Sequence, residues 1–193
     1  NSIMKESAER IQYITDYIVS YKTKIETLNK KGLFDTATLY EVFAQKICEI
    51  WFRQKFSNLN SGRANFPYVD LISEDNELYV QVSTIQDVPT KIKTTLEKIR
   101  DSKSDNLHGI HKLYFFVLSN ASVERVRDYT GTTQIGNIDF IKTENLITTE
   151  TIVQKAKTDI EFQMALFGFL QSENNALIQT ENKLEEAIAI SKA

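Results

Sequence analysis

Glycine and proline are scarce in this chain of 193 residues, which has 6 glycines and 2 prolines. Collagen-like, low-complexity and linker-rich chains contain far more of both residues. An all-β sandwich needs a turn about every 8–12 residues, and such turns depend largely on glycine and proline. The composition therefore excludes these classes and leaves a globular chain long enough to bury a core.

Cysteine and histidine, which supply thiol and imidazole chemistry, are nearly absent. Cys48 is the single cysteine, and His108 and His111 are the two histidines. One cysteine excludes a disulfide framework and a zinc site built from several cysteines. Two histidines in a polar turn, with no third ligand apparent, also disfavour a histidine metal site. Catalysis would therefore rely on carboxylates, amides, lysines and a hard metal ion.

Long apolar runs and a strong excess of one charge are also missing. No run approaches the roughly 20 apolar residues that a membrane span needs, and the N-terminal residues show no signal-peptide pattern. We therefore expect a cytoplasmic protein with no membrane partner. The 23 basic and 26 acidic residues give a formal net charge of −3. This balance argues against a surface coated in positive charge but allows a local basic strip.

Hydrophobic periodicity predicts alternating helices and strands along the chain. The order predicts an α/β fold with a mixed central sheet of about four strands, helices on both faces, and long N- and C-terminal helices. The predicted helices are 3–30, 37–55, 89–101, 121–129 and about 146 to the end, and the predicted strands are 66–72, 77–84, 112–119 and 137–142.

Three regions follow from this pattern. We assign residues 1–30 to an N-terminal amphipathic helix, 31–145 to the α/β domain and 146–193 to a C-terminal helical extension. Leu177 and Leu184 lie at a heptad-like spacing in that extension. It could therefore serve core packing, a dimer seam or connection to a further domain, and we expect a homo-oligomer formed through the terminal helices.

The hairpin at the centre of the chain holds the most informative residues. Asp70 lies inside an apolar strand, where a carboxylate is costly unless it is paired, hydrogen-bonded or bound to a metal. Aspartate is also a poor strand former. Gln81 and Ser83 share one face of the next strand, and Lys91 and Lys93 lie on the helix that follows. Asp70 therefore needs a partner, and polar residues near in sequence could provide one.

This arrangement resembles the PD-(D/E)xK nuclease core, which has the restriction-endonuclease-like fold. In that family an aspartate and a second acidic residue hold Mg²⁺, and a lysine two positions later helps to activate water. Here Gln81 occupies the second acidic position, as in the Mrr-type QxK subgroup. Ser83 stands where the lysine is expected.

A closer resemblance is to the SMEK domain, an N-terminal module of bacterial conflict and antiphage proteins. It covers about residues 30–120 and implies a metal-dependent nuclease that acts on DNA in preference to RNA, within a defence system or beside a further domain. The missing lysine keeps open a catalytically degenerate module for sensing, oligomerisation or partner binding. The matching pieces are Glu41, Asn58-Leu59-Asn60, Asn65-Phe66-Pro67-Tyr68-Val69-Asp70-Leu71, Gln81-Val82-Ser83 and Lys91-Ile92-Lys93-Thr94-Thr95.

The resemblance also implies a set of metal ligands. Asp70 and the Val82 carbonyl would bind Mg²⁺ or Mn²⁺, and Gln81 would ligate the metal or position its water. Glu41 would hold the metal through water. Lys91, one turn into the next helix, would take the place of the missing lysine beside the phosphate.

Basic and polar residues near this hairpin are candidates for binding nucleic acid. We predict phosphate contacts from Lys91, Lys93, Arg63 and Asn65. Each candidate also has a structural alternative. Asp70 could accept backbone N–H bonds, Glu41 could complete a capping box with Thr38, and the lysines could be solvated helix residues.

Overall fold

The computed structural model describes residues 1–32, 35–60, 67–84, 87–103, 107, 109–118, 123–130 and 138–193. It confirms the mixed α/β class and the long terminal helices. The helices are α1 (Ser2–Lys30), α2 (Thr36–Phe52), α3 (Val88–Asp101), α4 (Lys142–Asn145), α5 (Thr149–Thr158) and α6 (Ile160–Lys192). The strands are β1 (Phe56–Asn58), β2 (Leu71–Ser73), β3 (Leu78–Val82), β4 (Lys112–Val117) and β5 (Leu146–Thr148).

The strands of the described residues form one mixed sheet with the spatial order β1-β2-β3-β4-β5. Strands β1, β2 and β3 are antiparallel neighbours, whereas β3, β4 and β5 are parallel. The sheet has five strands rather than about four. Strands β1 and β5 were not predicted because three residues are too few for a period of two to be visible.

Several predicted bounds differ from the structure. Strand β2 begins at Leu71 rather than at residue 66, which lies outside the described residues, and Tyr68 before it has a positive φ of 74°. Residues 146–148 form β5 rather than helix. The helix predicted at 121–129 is described only as a 3₁₀ turn at Val123–Arg125. In the strand predicted at 137–142, Asp139 and Phe140 form isolated bridges.

Contacts divide the chain into two compact units, Asn1–Leu39 with Val153–Ala193, and Tyr40–Ile152. The second unit contains the sheet. On one face of β4, Leu113, Phe115 and Val117 belong to the same buried cluster as Ile92 and Leu96 of α3. Alternation along β4 therefore directs every second side chain towards α3.

The opposite face of β4 packs against α2. The ring of Tyr114 contacts Phe52 at a centroid distance of 4.8 Å, and Phe116 contacts Tyr40 at 5.9 Å. Strand β4 is therefore covered on both faces, as its near-continuous apolar sequence predicts. The packing fixes α2 over the sheet and sets the position of the polar side chains that α2 carries.

Helices α1 and α6 pair within the first unit. Arg10 Nε donates to Gln163 Oε1 at 2.7 Å, and Lys31 Nζ lies 2.6 Å from Glu181 Oε1. Because residue numbers rise together along both helices, α1 and α6 run parallel. No helix within the described ranges combines the length and the apolar character that crossing a membrane requires.

Glu173 of α6 is half-buried in this unit, and burial raises the pKa of its carboxyl group. Burial also raises the pKa of Tyr17 of α1, and the charge of Glu173 raises it further. An ionised Glu173 therefore costs the folded unit free energy at neutral pH.

We predict that Glu173→Gln raises the free energy of unfolding at pH 7 by less than about 1 kcal/mol, because solvent screens part of the effect. Burial raises the pKa of Glu173 in the folded state, so the protonated carboxyl group is the form that the fold tolerates. Its contribution to stability is complete below the pKa of the unfolded chain and is lost as the pH rises through the folded-state pKa. Thermal unfolding should show the gain shrinking as the pH falls to about 4. The exposed Glu186 of the same helix supplies the control, and an equal gain in Glu186→Gln would contradict the prediction.

Tyr40 joins the ends of the two central strands. Its hydroxyl donates to the carbonyl of Ser83 at 3.1 Å and accepts the Leu118 N–H at 3.0 Å. The ring is buried, so removal of the hydroxyl would leave two backbone groups without these partners.

We predict that Tyr40→Phe lowers the free energy of unfolding by about 1–3 kcal/mol, the cost of leaving buried polar groups unsatisfied. Urea denaturation would measure the change. Tyr114→Phe is the matched control, because the Tyr114 hydroxyl makes no hydrogen bond within the described part of the chain. We expect it to change stability by less than about 0.5 kcal/mol, and equal losses in both variants would refute the assignment.

Candidate functional site

A polar stripe on α2 covers the edge of the sheet. Glu41, Gln45 and Glu49 are four residues apart and therefore lie on one face of the helix. Glu49 Oε2 accepts the Phe56 N–H at 3.0 Å, and Gln45 Nε2 donates to the Phe56 carbonyl at 2.8 Å. Phe56 belongs to the edge strand β1, so α2 side chains take the role of a further strand there.

Glu41 occupies the end of this stripe that is nearest to the loop after β1. Its Oε2 accepts from Asn58 Nδ2 at 3.2 Å, and its Oε1 accepts from Asn60 Nδ2 at 3.2 Å. The Glu41 carboxylate is therefore directed at the Asn58–Asn60 turn and is available to a site there.

The capping-box alternative for Glu41 is wrong. Asp35 caps the start of α2, because its Oδ1 accepts the Ala37 N–H at 3.1 Å and its Oδ2 accepts from Thr38 Oγ1 at 2.8 Å. Thr38 thus bonds backwards to Asp35.

Asp70 uses all of its hydrogen-bonding groups at the start of β2. Its N–H donates to the Val80 carbonyl at 2.9 Å, and its carbonyl accepts the Leu59 N–H at 2.8 Å. Its Oδ2 accepts the Val82 N–H at 2.7 Å, and its Oδ1 accepts from Asn60 Nδ2 at 2.9 Å. These contacts include the backbone N–H bond of the structural alternative. Each carboxylate oxygen keeps a further lone pair for another ligand.

Gln81 lies in β3, directly before Val82. The antiparallel register pairs Leu71 with Val80, but the Asp70 N–H donates to the Val80 carbonyl, so Asp70 does not continue that register. Gln81 pairs with Phe115 of β4, which belongs to the buried cluster of α3. Gln81 is 9% exposed, and its Nε2 lies 3.5 Å from the Val82 carbonyl. Its Oε1 is buried and has no hydrogen-bond partner among the described residues. Such an unmet acceptor costs about 1–3 kcal/mol and calls for an explanation.

The oxygen atoms at this junction fit a hard divalent cation. Asp70 and Glu41 offer carboxylates that share the Asn60 amide, and Gln81, next to Val82 in β3, has an amide oxygen with no partner among the described residues. Within the described ranges, no group of three or more histidine, cysteine, aspartate or glutamate side chains could hold a metal. Mg²⁺ binds proteins through one or two carboxylates and keeps several waters, so this smaller donor set suits it. The Val82 carbonyl, which already faces Gln81 Nε2, is the weaker candidate.

The candidate cations differ in their surroundings. Lys91 is half-buried in the first turns of α3, and its ammonium forms no hydrogen bond or ion pair with the described residues. Lys93 is exposed and lies 3.9 Å from Glu97 in an ion pair. Arg63 and Asn65 lie outside the described residues.

Sequence reasoning missed the roles of Asn58 and Asn60. The Asn60 side chain contacts both Glu41 and Asp70. The two asparagines are two positions apart at the end of a strand, and residues i and i+2 of a strand share a face. That spacing could have indicated that both side chains lie on the same side of the sheet. Their partners lie 10 to 19 positions away along the chain, so no local pattern identifies them.

A comparison with known families gives a match. The family model described as the SMEK domain matches residues 13–157 of the chain. That range includes α2, the whole sheet and every residue of the junction around Asp70. Neither the search of curated proteins nor the search of solved structures returned a match.

We predict that Glu49→Ala speeds amide hydrogen exchange at Phe56 about tenfold, because the Phe56 N–H loses a charged acceptor. Exchange measured by NMR would report it residue by residue. Glu97→Ala is the control, since it also removes a glutamate from an i-to-i+3 or i-to-i+4 helix ion pair but touches no strand. Unchanged exchange at Phe56 would mean that α2 does not protect the edge of β1.

Proposed function

This chain belongs to the SMEK domain family, and from that premise we propose that it is a metal-dependent nuclease that hydrolyses phosphodiester bonds. One observation carries the proposal. A carboxylate, Asp70, accepts the Val82 N–H of β3, and the preceding residue of that strand, Gln81, has a buried amide oxygen without a partner among the described residues. This is where the PD-(D/E)xK resemblance implies the metal ligands.

Each residue of the junction has a role in this proposal. Asp70 and Gln81 would hold Mg²⁺ or Mn²⁺ directly, and Glu41 would act through a water. A bound divalent cation supplies a water of lowered pKa and offsets negative charge in the transition state. The Val82 N–H fixes the rotamer of Asp70 through its 2.7 Å bond to Oδ2, which leaves Oδ1 directed at the cluster.

Lys91 supplies the positive charge beside the phosphate. Phosphodiester hydrolysis accumulates negative charge on the phosphoryl oxygens, and a fixed cation stabilises that charge. Lys91 is half-buried, and its ammonium is not committed to any described carboxylate, so it can meet a phosphate without first breaking an ion pair. Lys93, already paired with Glu97, would add long-range attraction to the nucleic-acid backbone.

The biological setting of the proposal rests on the family resemblance. DNA is the proposed substrate in preference to RNA, and the proposed role is that of an effector module in antiphage defence. The slight negative net charge is consistent with an enzyme that binds nucleic acid through a local strip rather than through its whole surface.

A second candidate function is a catalytically degenerate module for sensing, oligomerisation or partner binding. The residue that favours it is Ser83, which stands in the usual lysine position. Ser83 is 5% exposed, its carbonyl accepts from Tyr40, and its N–H donates to the Phe116 carbonyl at 2.9 Å. The backbone of Ser83 therefore contributes hydrogen bonds to the packing of the sheet. Catalysis then depends on whether Lys91 replaces the missing lysine.

We predict that wild-type protein cleaves plasmid DNA in Mg²⁺ or Mn²⁺ and that Asp70→Asn and Lys91→Ala each lower the rate by at least about a hundredfold. Asp70→Asn removes the charge but keeps a side-chain oxygen for the Val82 N–H. Gel assays with plasmid, single-stranded DNA and RNA would measure rate and substrate preference.

Lys93→Ala is the matched control for Lys91→Ala, because it removes an exposed lysine two residues away in the same helix. Its rate should stay within about threefold of wild type. Equal cleavage by wild type, Asp70→Asn and Lys91→Ala would show that the activity does not come from this site. Metal binding at Asp70 without cleavage of any nucleic acid would favour the degenerate module.

A further inference from the structure

Tyr68 is the only exposed aromatic side chain in the described part of the chain, and it is 40% exposed. It lies in the turn that leads to Asp70, and its φ of 74° is in the left-handed region. Bulky side chains rarely adopt this region, because Cβ then crowds the following carbonyl oxygen. Glycine or asparagine would occupy the position at a lower cost. An exposed tyrosine here therefore buries little surface and strains the backbone.

The residues after Tyr68 hold the backbone of this turn. Val69 is 1% exposed and belongs to the buried cluster that α3 shares with the sheet. The Asp70 N–H donates to the Val80 carbonyl at 2.9 Å, and the Asp70 carboxylate accepts the Val82 N–H at 2.7 Å. These anchors of the turn do not involve the Tyr68 ring.

A lysine of α3 lies over the ring of Tyr68. Lys98 Nζ is 5.6 Å from the ring centroid, which is within the range of a cation–π contact. Lys98 is exposed and forms no ion pair with the described residues. Asp101, one turn further along α3, is paired with Arg100 at 2.8 Å. An aromatic ring and an available positive charge thus lie side by side on the surface.

Lys98 lies on the same face of α3 as Lys91. The two lysines are seven residues apart, which is close to two full turns, so they are aligned about 10.5 Å apart along the helix axis. Lys91 is the residue proposed to meet a phosphate. A nucleic-acid strand that crosses Lys91 can therefore reach Lys98 and Tyr68 along one face of the helix.

We propose that Tyr68 and Lys98 bind single-stranded DNA, with the tyrosine ring stacked on an unpaired base and the lysine at an adjoining phosphate. The inference rests on the proposed nuclease function, because it names the form of DNA that this function takes. Proteins that bind single strands combine a basic surface with aromatic rings on which bases stack. The bases of a duplex are already stacked and paired, and releasing one costs free energy. The surface therefore favours single strands over duplex.

The test is the affinity of the full chain for fluorescein-labelled oligonucleotides, measured by fluorescence anisotropy in EDTA so that no metal-dependent hydrolysis occurs. The probes are a single strand of thymidine nucleotides and the duplex of that strand with its complement. Wild type should bind the single strand more tightly. Tyr68→Asn should weaken binding to the single strand about tenfold, through the loss of one base stack, and binding to the duplex less than about twofold. Tyr68→Phe keeps the ring and should stay within about twofold of wild type on both probes.

Further measurements separate binding from folding and from general charge. Asparagine tolerates a positive φ, so the urea midpoint of Tyr68→Asn should equal or exceed that of wild type. A lower midpoint would show that the ring stabilises the fold and would overturn the inference. Lys98→Ala should reduce the slope of log K against log salt for the single strand by about 0.7, the value for one phosphate contact. Lys183→Ala removes an exposed lysine of α6 and should leave that slope unchanged.

The outcomes also separate this inference from the proposed function. Equal losses on both probes, or an affinity for the single strand that Tyr68→Asn leaves unchanged, overturns the inference and leaves the nuclease to be judged by the cleavage assays. A loss confined to the single strand, without cleavage of any nucleic acid, supports the inference and contradicts the nuclease. If wild type binds neither probe, the inference is overturned, whereas cleavage that depends on Asp70 would still support the nuclease.

Discussion

The hydrogen bonds of Asp70 are the constraint on which the rest of the site depends. Through its backbone and its carboxylate, Asp70 joins the loop after β1, the start of β2 and the end of β3. Hydrogen bonds to a charged acceptor contribute about 1.5–3 kcal/mol each, which offsets the low strand propensity of aspartate. The same contacts orient the carboxylate, so the residue that joins these elements is also the one around which the candidate site is built.

Helix α2 links the core to this junction. Its aromatic residues Tyr40 and Phe52 pack on β4, while Gln45 and Glu49 bind both backbone groups of Phe56 that face away from β2. The position of Glu41 is therefore set by core packing on one side and by a strand edge on the other. At Phe56, the side chains of Gln45 and Glu49 occupy the backbone groups that another chain would need for strand pairing.

Most of the architecture could be predicted from the sequence, because the hydrophobic period of a long segment shows whether it is a helix or a strand. Helices α1, α2 and α3 and strands β3 and β4 follow from runs long enough to show a period. The charge of Asp70 next to a strand also predicted that this carboxylate needs partners, and its hydrogen bonds supply them. Sequence patterns could not predict the three-residue strands β1 and β5, because these strands depend on pairing with partners distant in sequence. The same holds for the contacts of Asn60 with Glu41 and Asp70. Glu41 was singled out by resemblance, and only its contacts decide between a cap and a site residue.

The parallel pairing of α1 and α6 has a consequence for biosynthesis. The apolar stripe of α1 leaves the ribosome first, but its partner helix begins at Ile160, and ribosomes add about 5–20 residues per second. For a time on the order of ten seconds, α1 has only the intervening chain to shield its stripe. Closing so long a loop costs little more entropy than closing a shorter one. The delay before α1 meets α6 is therefore kinetic, because it is set by the rate of synthesis rather than by the entropy of closing the loop.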